Sequence, residues 1–361
     1  MGNGPPLHKR RYLILAPYAF TEAKTAHGVL RYGSDPTVAV IDPQFAGRRV
    51  CDVLAYLEST APIVPDVSSG MHFGPTALLI GTAPKGGRLP AQWREQILQA
   101  IDAKLEIVSG LHDMLCDDAE FAAAARSAGV AIRDVRKPPE VPLFSGDVYG
   151  VKPPILLAVG NDCAVGKMTV MLELARAAAA SGTRAEFAPT GQTGIMIAGW
   201  GIAVDRVIAD FTTGAAEQIV LEAARRKPEY ILVEGQGSIN HPAYAPVTLA
   251  LMYGAAPDAL LLVVDPKRDR IEGYDTPVVG YSELVAAHES IAARVKPAAV
   301  AGVAVNTFGL SDDRARSEIA RVKTQTGLPA DDVVRFGARA LWDAIAPALR
   351  KSRPLIAQAA V

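Results

Sequence analysis

Residues 155–169 read Ile-Leu-Leu-Ala-Val-Gly-Asn-Asp-Cys-Ala-Val-Gly-Lys-Met-Thr, and this stretch decides the fold. An apolar run enters Gly160, a loop of small residues reaches Gly166-Lys167, and a segment rich in Leu and Ala follows. Strand, glycine-bounded loop and helix in that order are the setting of a phosphate-binding P-loop. Gly160 and Gly166 permit backbone angles that other residues resist, so successive N–H groups can turn inward around an anion. The helix N-terminus adds its positive dipole end and Lys167 a full charge. Gly160, Asn161, Asp162, Cys163, Ala164, Val165, Gly166, Lys167, Met168 and Thr169 are therefore the expected polyphosphate-binding residues. Met168 stands where Ser or Thr ordinarily offers a hydroxyl to Mg²⁺, and Thr169 comes one place late. A thioether is a poor ligand for a hard cation, so Thr169 and Glu234 are metal ligands only if Mg²⁺ is used at all.

Downstream of the loop, apolar runs at 185–189, 230–233, 260–265 and 300–305 join 155–159 as candidate strands with helices between. They are nearly free of polar residues, as strands buried on both faces tend to be. Ligands of such sheets collect at the carboxyl ends of the strands. There stands Glu234, followed by Gly235 and Gly237, which let a loop approach a ligand closely. Its carboxylate suits a metal, a held water or a general-base role. His241, seven residues on, exchanges protons near neutral pH. Thr190, Gln192 and Thr193 offer neutral hydrogen bonds to a substrate, or simply form a turn. Lys267 and Arg268 either grip carboxylates or form exposed charge balanced by Asp269 and Glu272. Asn306, closing the last strand, is placed to read an adenine edge. Cys163 admits an acyl-cysteine route, although P-loops need small residues there for backbone reasons alone. His288 and His112 fall in helical patterns, and His288 is expected to be a packing or surface residue.

Upstream, 12–17, 37–42 and 77–82 read as strands, and Trp93, Ile97, Ile101, Leu105 and Val108 recur at helical spacing over 90–110. A second helix over 119–128 stops at Gly129, and 130–135 returns to a sheet. The alternation predicts an α/β chain: a Rossmann-like domain at 1–137, then a P-loop NTPase-like three-layer α/β/α domain at 155–361 with a mostly parallel sheet. Between them, 138–154 holds five prolines and reads as an extended linker. No Gly-x-Gly-x-x-Gly follows the first strand, so no dinucleotide is assigned. The loop 81–87 is a further, weaker binding candidate.

Of 361 residues, 50% are hydrophobic and 21% charged, which supports a large core. A net charge of −1 gives no footprint for nucleic acid. Three scattered cysteines make neither a disulfide framework nor a metal spacing. The N-terminal apolar run is broken by Pro17, unlike a signal peptide, and no stretch approaches a membrane span. The expectation is a cytoplasmic enzyme acting on a small molecule without nucleic-acid or membrane partners, and a homo-oligomer by general prior.

The ordered set Gly160–Thr169, Pro189-Thr-Gly-Gln-Thr-Gly194, and Val233-Glu-Gly-Gln-Gly-Ser238 with His241-Pro242 resembles the DgcN-like D-glutamate N-acetyltransferase family, formerly domain of unknown function 1611. Residues 23–32 and 37–42 resemble that family's first domain. The resemblance implies an acyl-CoA-dependent N-acyltransferase acting on a small acidic amino acid, with acetyl-CoA held by the P-loop. It also implies Glu234 or His241 as base, Lys167 on phosphate, and Lys267 and Arg268 on substrate carboxylates. The P-loop half is similar to dethiobiotin synthetase as well, which implies the alternative of an ATP- and Mg²⁺-dependent carboxylate ligase or kinase. A nucleotide-binding regulatory protein is the third reading.

Overall fold

The computed structural model describes residues 10–82 and 87–351. Four residues of the candidate loop 81–87, those at 83–86, lie outside them. The chain divides into two compact units, Met1–Pro138 with Gln192–Arg206, and Pro139–Gly191 with Val207–Val361.

The first unit is built on six parallel strands: β1 (Tyr12–Leu15), β2 (Thr37–Ile41), β3 (Ile63–Val64), β4 (Ala77–Ile80), β5 (Glu106–Ser109) and β6 (Ile132–Asp134). Their order, β3-β2-β1-β4-β5-β6, is the doubly wound Rossmann arrangement. Asp42, just past β2, is fully buried and accepts N–H groups from Tyr18, Phe20 and Gln44, so it fastens the turn after β1.

The helical stripe over 90–110 is corrected by the structure. The helix is Arg94–Asp102, Lys104 turns at φ +66°, and Leu105 and Val108 belong to the entry and body of β5. All five stripe residues are buried. A buried helix face and a buried strand leave the same apolar trace, and no Gly or Pro marks the break. His112 likewise lies in the loop after β5 and not in a helix.

A second departure concerns Gln192–Arg206, which the sequence reading kept with 155–361. This segment clusters with the first unit. Arg136 is the reason. Buried, it donates to Gly110 O at 2.7 Å and to Gln192 Oε1 at 2.6 Å, and it pairs with Asp205. Thr193 Oγ1 also meets Thr25 Oγ1 at 3.0 Å.

The second unit holds β7 (Ile155–Gly160), β8 (Ala185–Ala188), β9 (Tyr230–Val233), β10 (Ala259–Val264), β11 (Ala299–Val305) and β12 (Ala330–Asp331), all parallel. The order β12-β11-β10-β7-β9-β8 puts β7 at the centre, between β9 and β10. Pairing of Leu157 with Val233 and of Gly160 with Val263 brings both neighbouring strand ends beside the loop that leaves β7. The proline-rich stretch is less free than an extended linker. Glu217, fully buried in the helix Thr212–Arg225, accepts hydrogen bonds from Ser145 N, Ser145 Oγ and Val148 N. His288 is buried in the helix Tyr281–Ala292, as a packing residue would be. No helix among the described residues is long and apolar enough to cross a membrane.

Candidate functional site

The loop after β7 has P-loop geometry. Ala164 lies at φ +55° and Gly166 at φ +108°, and the helix Lys167–Ala180 begins at once. Positive φ at two nearby positions folds the loop back over the helix N-terminus, where backbone N–H groups are unpaired. Ala164 accepts this conformation without glycine's freedom.

Side chains from the neighbouring strand ends hold the loop in shape. Asn161 donates to Asp265 O at 3.3 Å and accepts from Asp265 N at 3.2 Å, a two-way clamp onto the end of β10. Asp162 is fully buried. Its Oδ1 accepts from Cys163 N at 2.6 Å, and its Oδ2 from Glu272 N at 2.8 Å and Arg268 Nη1 at 3.1 Å. From β11, Asn306 Nδ2 donates to Val165 O at 3.0 Å. Asn161, Asp162 and Asn306 therefore tie the loop to the ends of β10 and β11.

Lys167 is buried and its Nζ donates to Asp162 O at 2.8 Å. Loss of solvation drives its pKa from 10.5 down to about 8, while Cys163, Asp162 and Glu234 pull the other way. The ammonium thus sits under-solvated at the loop, a strong incentive to meet an anion. Cys163 shows the opposite tendency to a reactive thiolate. Burial pushes its thiol up to about 11, opposed only in part by Lys167. That weakens an acyl-cysteine route.

Glu234, at the end of β9, is buried, with Oε2 accepting from Thr190 N at 2.8 Å and Gly191 N at 3.0 Å. Thr190 Oγ1 donates to Glu234 O at 2.9 Å. The ends of β8 and β9 are thereby fixed as one surface. Gly235 is required for steric reasons. A Cβ there would overlap the Ala158 carbonyl oxygen and crowd Lys167 Cδ.

His241 is also buried, and one of its ring nitrogens lies within 4.8 Å of Cys163 Sγ and an Asp162 carboxylate oxygen. The rings of Tyr244 and Tyr274 flank it, with centroids 4.6 and 5.3 Å away. These tyrosines, 55% and 43% exposed, were not singled out from the sequence. Only the turn His241-Pro-Ala-Tyr244 could have pointed to one of them.

The second unit thus unites Lys167, Glu234, Thr190, His241 and the loop. Arg268, expected on substrate, is instead committed to Asp162 and to Glu272 Oε2 at 3.3 Å. Lys267 donates to Phe308 O at 2.6 Å and lies 3.6 Å from Asp265. Gln192 and Thr193 are taken up in the first unit, as described above. Met168 and Thr169 are half-buried at the start of the helix.

Comparison with known proteins agrees with this architecture. Residues 43–138 match the Rossmann-like N-terminal domain of DUF1611, a domain of unknown function, and residues 142–342 match its P-loop C-terminal domain. A protein of Tritonibacter scottomollicae named D-glutamate N-acetyltransferase is 38% identical over 278 residues, 76% of this chain and 82% of that one. Another of that name from a Pseudoalteromonas species is 34% identical over 273 residues, 75% of this chain and 81% of its own. The crystal structure of a DUF1611 protein from Anabaena variabilis is 36% identical, with a TM-score of 0.89, covering 94% of this chain and 99% of that one. Both halves of the molecule carry the same signature, and the chain belongs to the DUF1611 family, which pairs a Rossmann-like N-terminal domain with a C-terminal P-loop domain.

Proposed function

We propose that the protein is an N-acetyltransferase that moves an acetyl group from acetyl-CoA to the amino group of a small acidic amino acid, D-glutamate or a near relative. The observation that carries this reading is the pair of relatives named D-glutamate N-acetyltransferase, each matching about three quarters of the chain. The site suits it. A buried ammonium and a loop with two left-handed residues fit a group rich in phosphate oxygens. The nucleotide end of acetyl-CoA is such a group, and Met168 at the usual hydroxyl position does not weaken a role that needs no metal-assisted phosphoryl transfer.

Bound there, acetyl-CoA supplies an electrophilic thioester carbon. Lys167 and the loop amides would hold its phosphates. Glu234, oriented by the Thr190 and Gly191 amides, would take a proton from the substrate ammonium so that the amine can attack. The C–N bond forms and the C–S bond breaks; of the two protons the substrate nitrogen loses, one passes to the departing thiolate and the other leaves to solvent.

The test is an assay of purified protein with acetyl-CoA, and separately with Mg-ATP, against D- and L-amino acids. Release of free thiol with D-glutamate and without ATP is the expected result. ADP or AMP formation with no thiol release would replace this reading by the dethiobiotin-synthetase-like ligase or kinase.

A further inference from the structure

Asp162, Cys163 and His241 converge within 4.8 Å and first suggest a metal set. The hydrogen bonds around His241 argue otherwise. Its Nδ1 accepts two backbone N–H groups, from Ala243 at 3.2 Å and Tyr244 at 3.3 Å. A nitrogen that accepts carries no proton, so in the neutral ring the proton sits on Nε2. A metal-binding histidine needs the reverse, a bare nitrogen toward the metal and an N–H donated on the far side. Asp162 is also spent, with three donors including the Arg268 guanidinium already on its two oxygens.

The same two amides bar His241 from serving as a base through the ring nitrogen they occupy, and the Nε2 proton leaves no lone pair on the other side. What remains is an N–H donor. Tyr244 and Tyr274 flank the ring, the residue is only 2% exposed, and among the described residues Nε2 makes no hydrogen bond. An oriented N–H without a partner is available to an acceptor.

We infer that His241 is a fixed neutral donor whose Nε2–H meets the acyl oxygen of the thioester at the P-loop as negative charge builds on it. This rests on the acetyltransferase reading for the identity of the acceptor, but the tautomer does not. The role is oxyanion stabilisation, which a pre-oriented neutral imidazole performs without a proton being transferred. Proton removal from the amine is then left to Glu234.

Two measurements test it. In full-length protein labelled with ¹⁵N, with no ligand added, the ring correlations of His241 should show a protonated Nε2 and a bare Nδ1 at pH 7.5. Assignment uses the peak missing from His241→Gln. A protonated Nδ1, or a shift of both nitrogens on adding Zn²⁺ at micromolar concentration, would overturn the inference whatever the reaction proves to be. In the acetyl-CoA assay, His241→Ala should lose about 10²–10³-fold in kcat with KM for acetyl-CoA little changed. His241→Gln, whose amide restores an N–H near the Nε2 position, should recover at least tenfold of that loss and keep the wild-type pH profile. Equal loss in both variants, with the acidic limb of the profile abolished, would make His241 a base and sink the donor role. Wild-type protein that releases no thiol while keeping the Nε2–H tautomer refutes the proposed reaction and leaves the donor assignment standing.

Discussion

Lys167→Met should make the ligand-free protein more stable at neutral pH. The wild-type ammonium is buried, and its pKa falls from 10.5 unfolded to about 8 folded. At 1.36 kcal/mol for each pH unit, carrying that charge costs the native state about 3 kcal/mol at pH 7. Methionine keeps the length and removes the charge. It also removes the hydrogen bond from the charged Nζ to Asp162 O, worth about 1.5–3 kcal/mol. The variant should therefore gain up to about 1.5 kcal/mol at pH 7. The sign of the pH dependence follows from proton binding. Between pH 8 and 10.5 the unfolded wild type holds a proton that the folded form has released, so wild-type stability rises with pH in that window. The variant lacks this rise. Its advantage should shrink by about 1.4 kcal/mol per pH unit above pH 8 and reverse by about pH 9.5. Urea unfolding of both proteins at pH 7, 8, 9 and 9.5 measures this directly. Added tripolyphosphate should raise the wild-type midpoint and leave that of the variant where it was. A variant less stable than wild type at pH 7, or a difference that ignores pH, would refute the picture of a desolvated ammonium held for an anion.

Two further outcomes follow from other buried groups. Because the Cys163 thiol is pushed up to about 11, its alkylation by iodoacetamide, followed by mass spectrometry, should keep rising about tenfold per pH unit through pH 10; a plateau below pH 9 would show an activated thiolate instead. His288 donates from Nδ1 to Leu284 O at 2.7 Å, while its buried Nε2 has no partner among the described residues, and burial lowers its pKa to about 4. The folded protein excludes a proton that the unfolded chain binds from about pH 6.5 downward, so stability present above that pH is lost as pH falls toward 4, by about 3 kcal/mol in all. His288→Leu should lose that much less than wild type over the same range in urea unfolding, and identical slopes would disprove the assignment.

The sequence by itself determined the two α/β halves, the strand–loop–helix at 155–169 and the placing of Glu234 at a strand end. These features are local. An apolar run, a glycine pair and a lysine each state their role within about fifteen residues, because strand burial and loop backbone angles depend on immediate neighbours. The sequence also shows Asp162, Arg268, Asn306 and His241, yet not which atoms they meet. The pairing of β7 with β9 and β10 decides that, and it turns Arg268 from a candidate substrate ligand into the partner of Asp162. It likewise sets Asn306 against Val165 O. The same holds for Gln192, which looks like part of a binding turn until Arg136, 56 positions away, claims its amide. Even the helix-to-strand break at Lys104 is settled by packing, since buried helices and buried strands write the same apolar letters. The tautomer of His241 depends on the direction of two backbone N–H groups in the turn it begins. Residue types limit which hydrogen bonds are available, but only folding fixes the angles that choose among them.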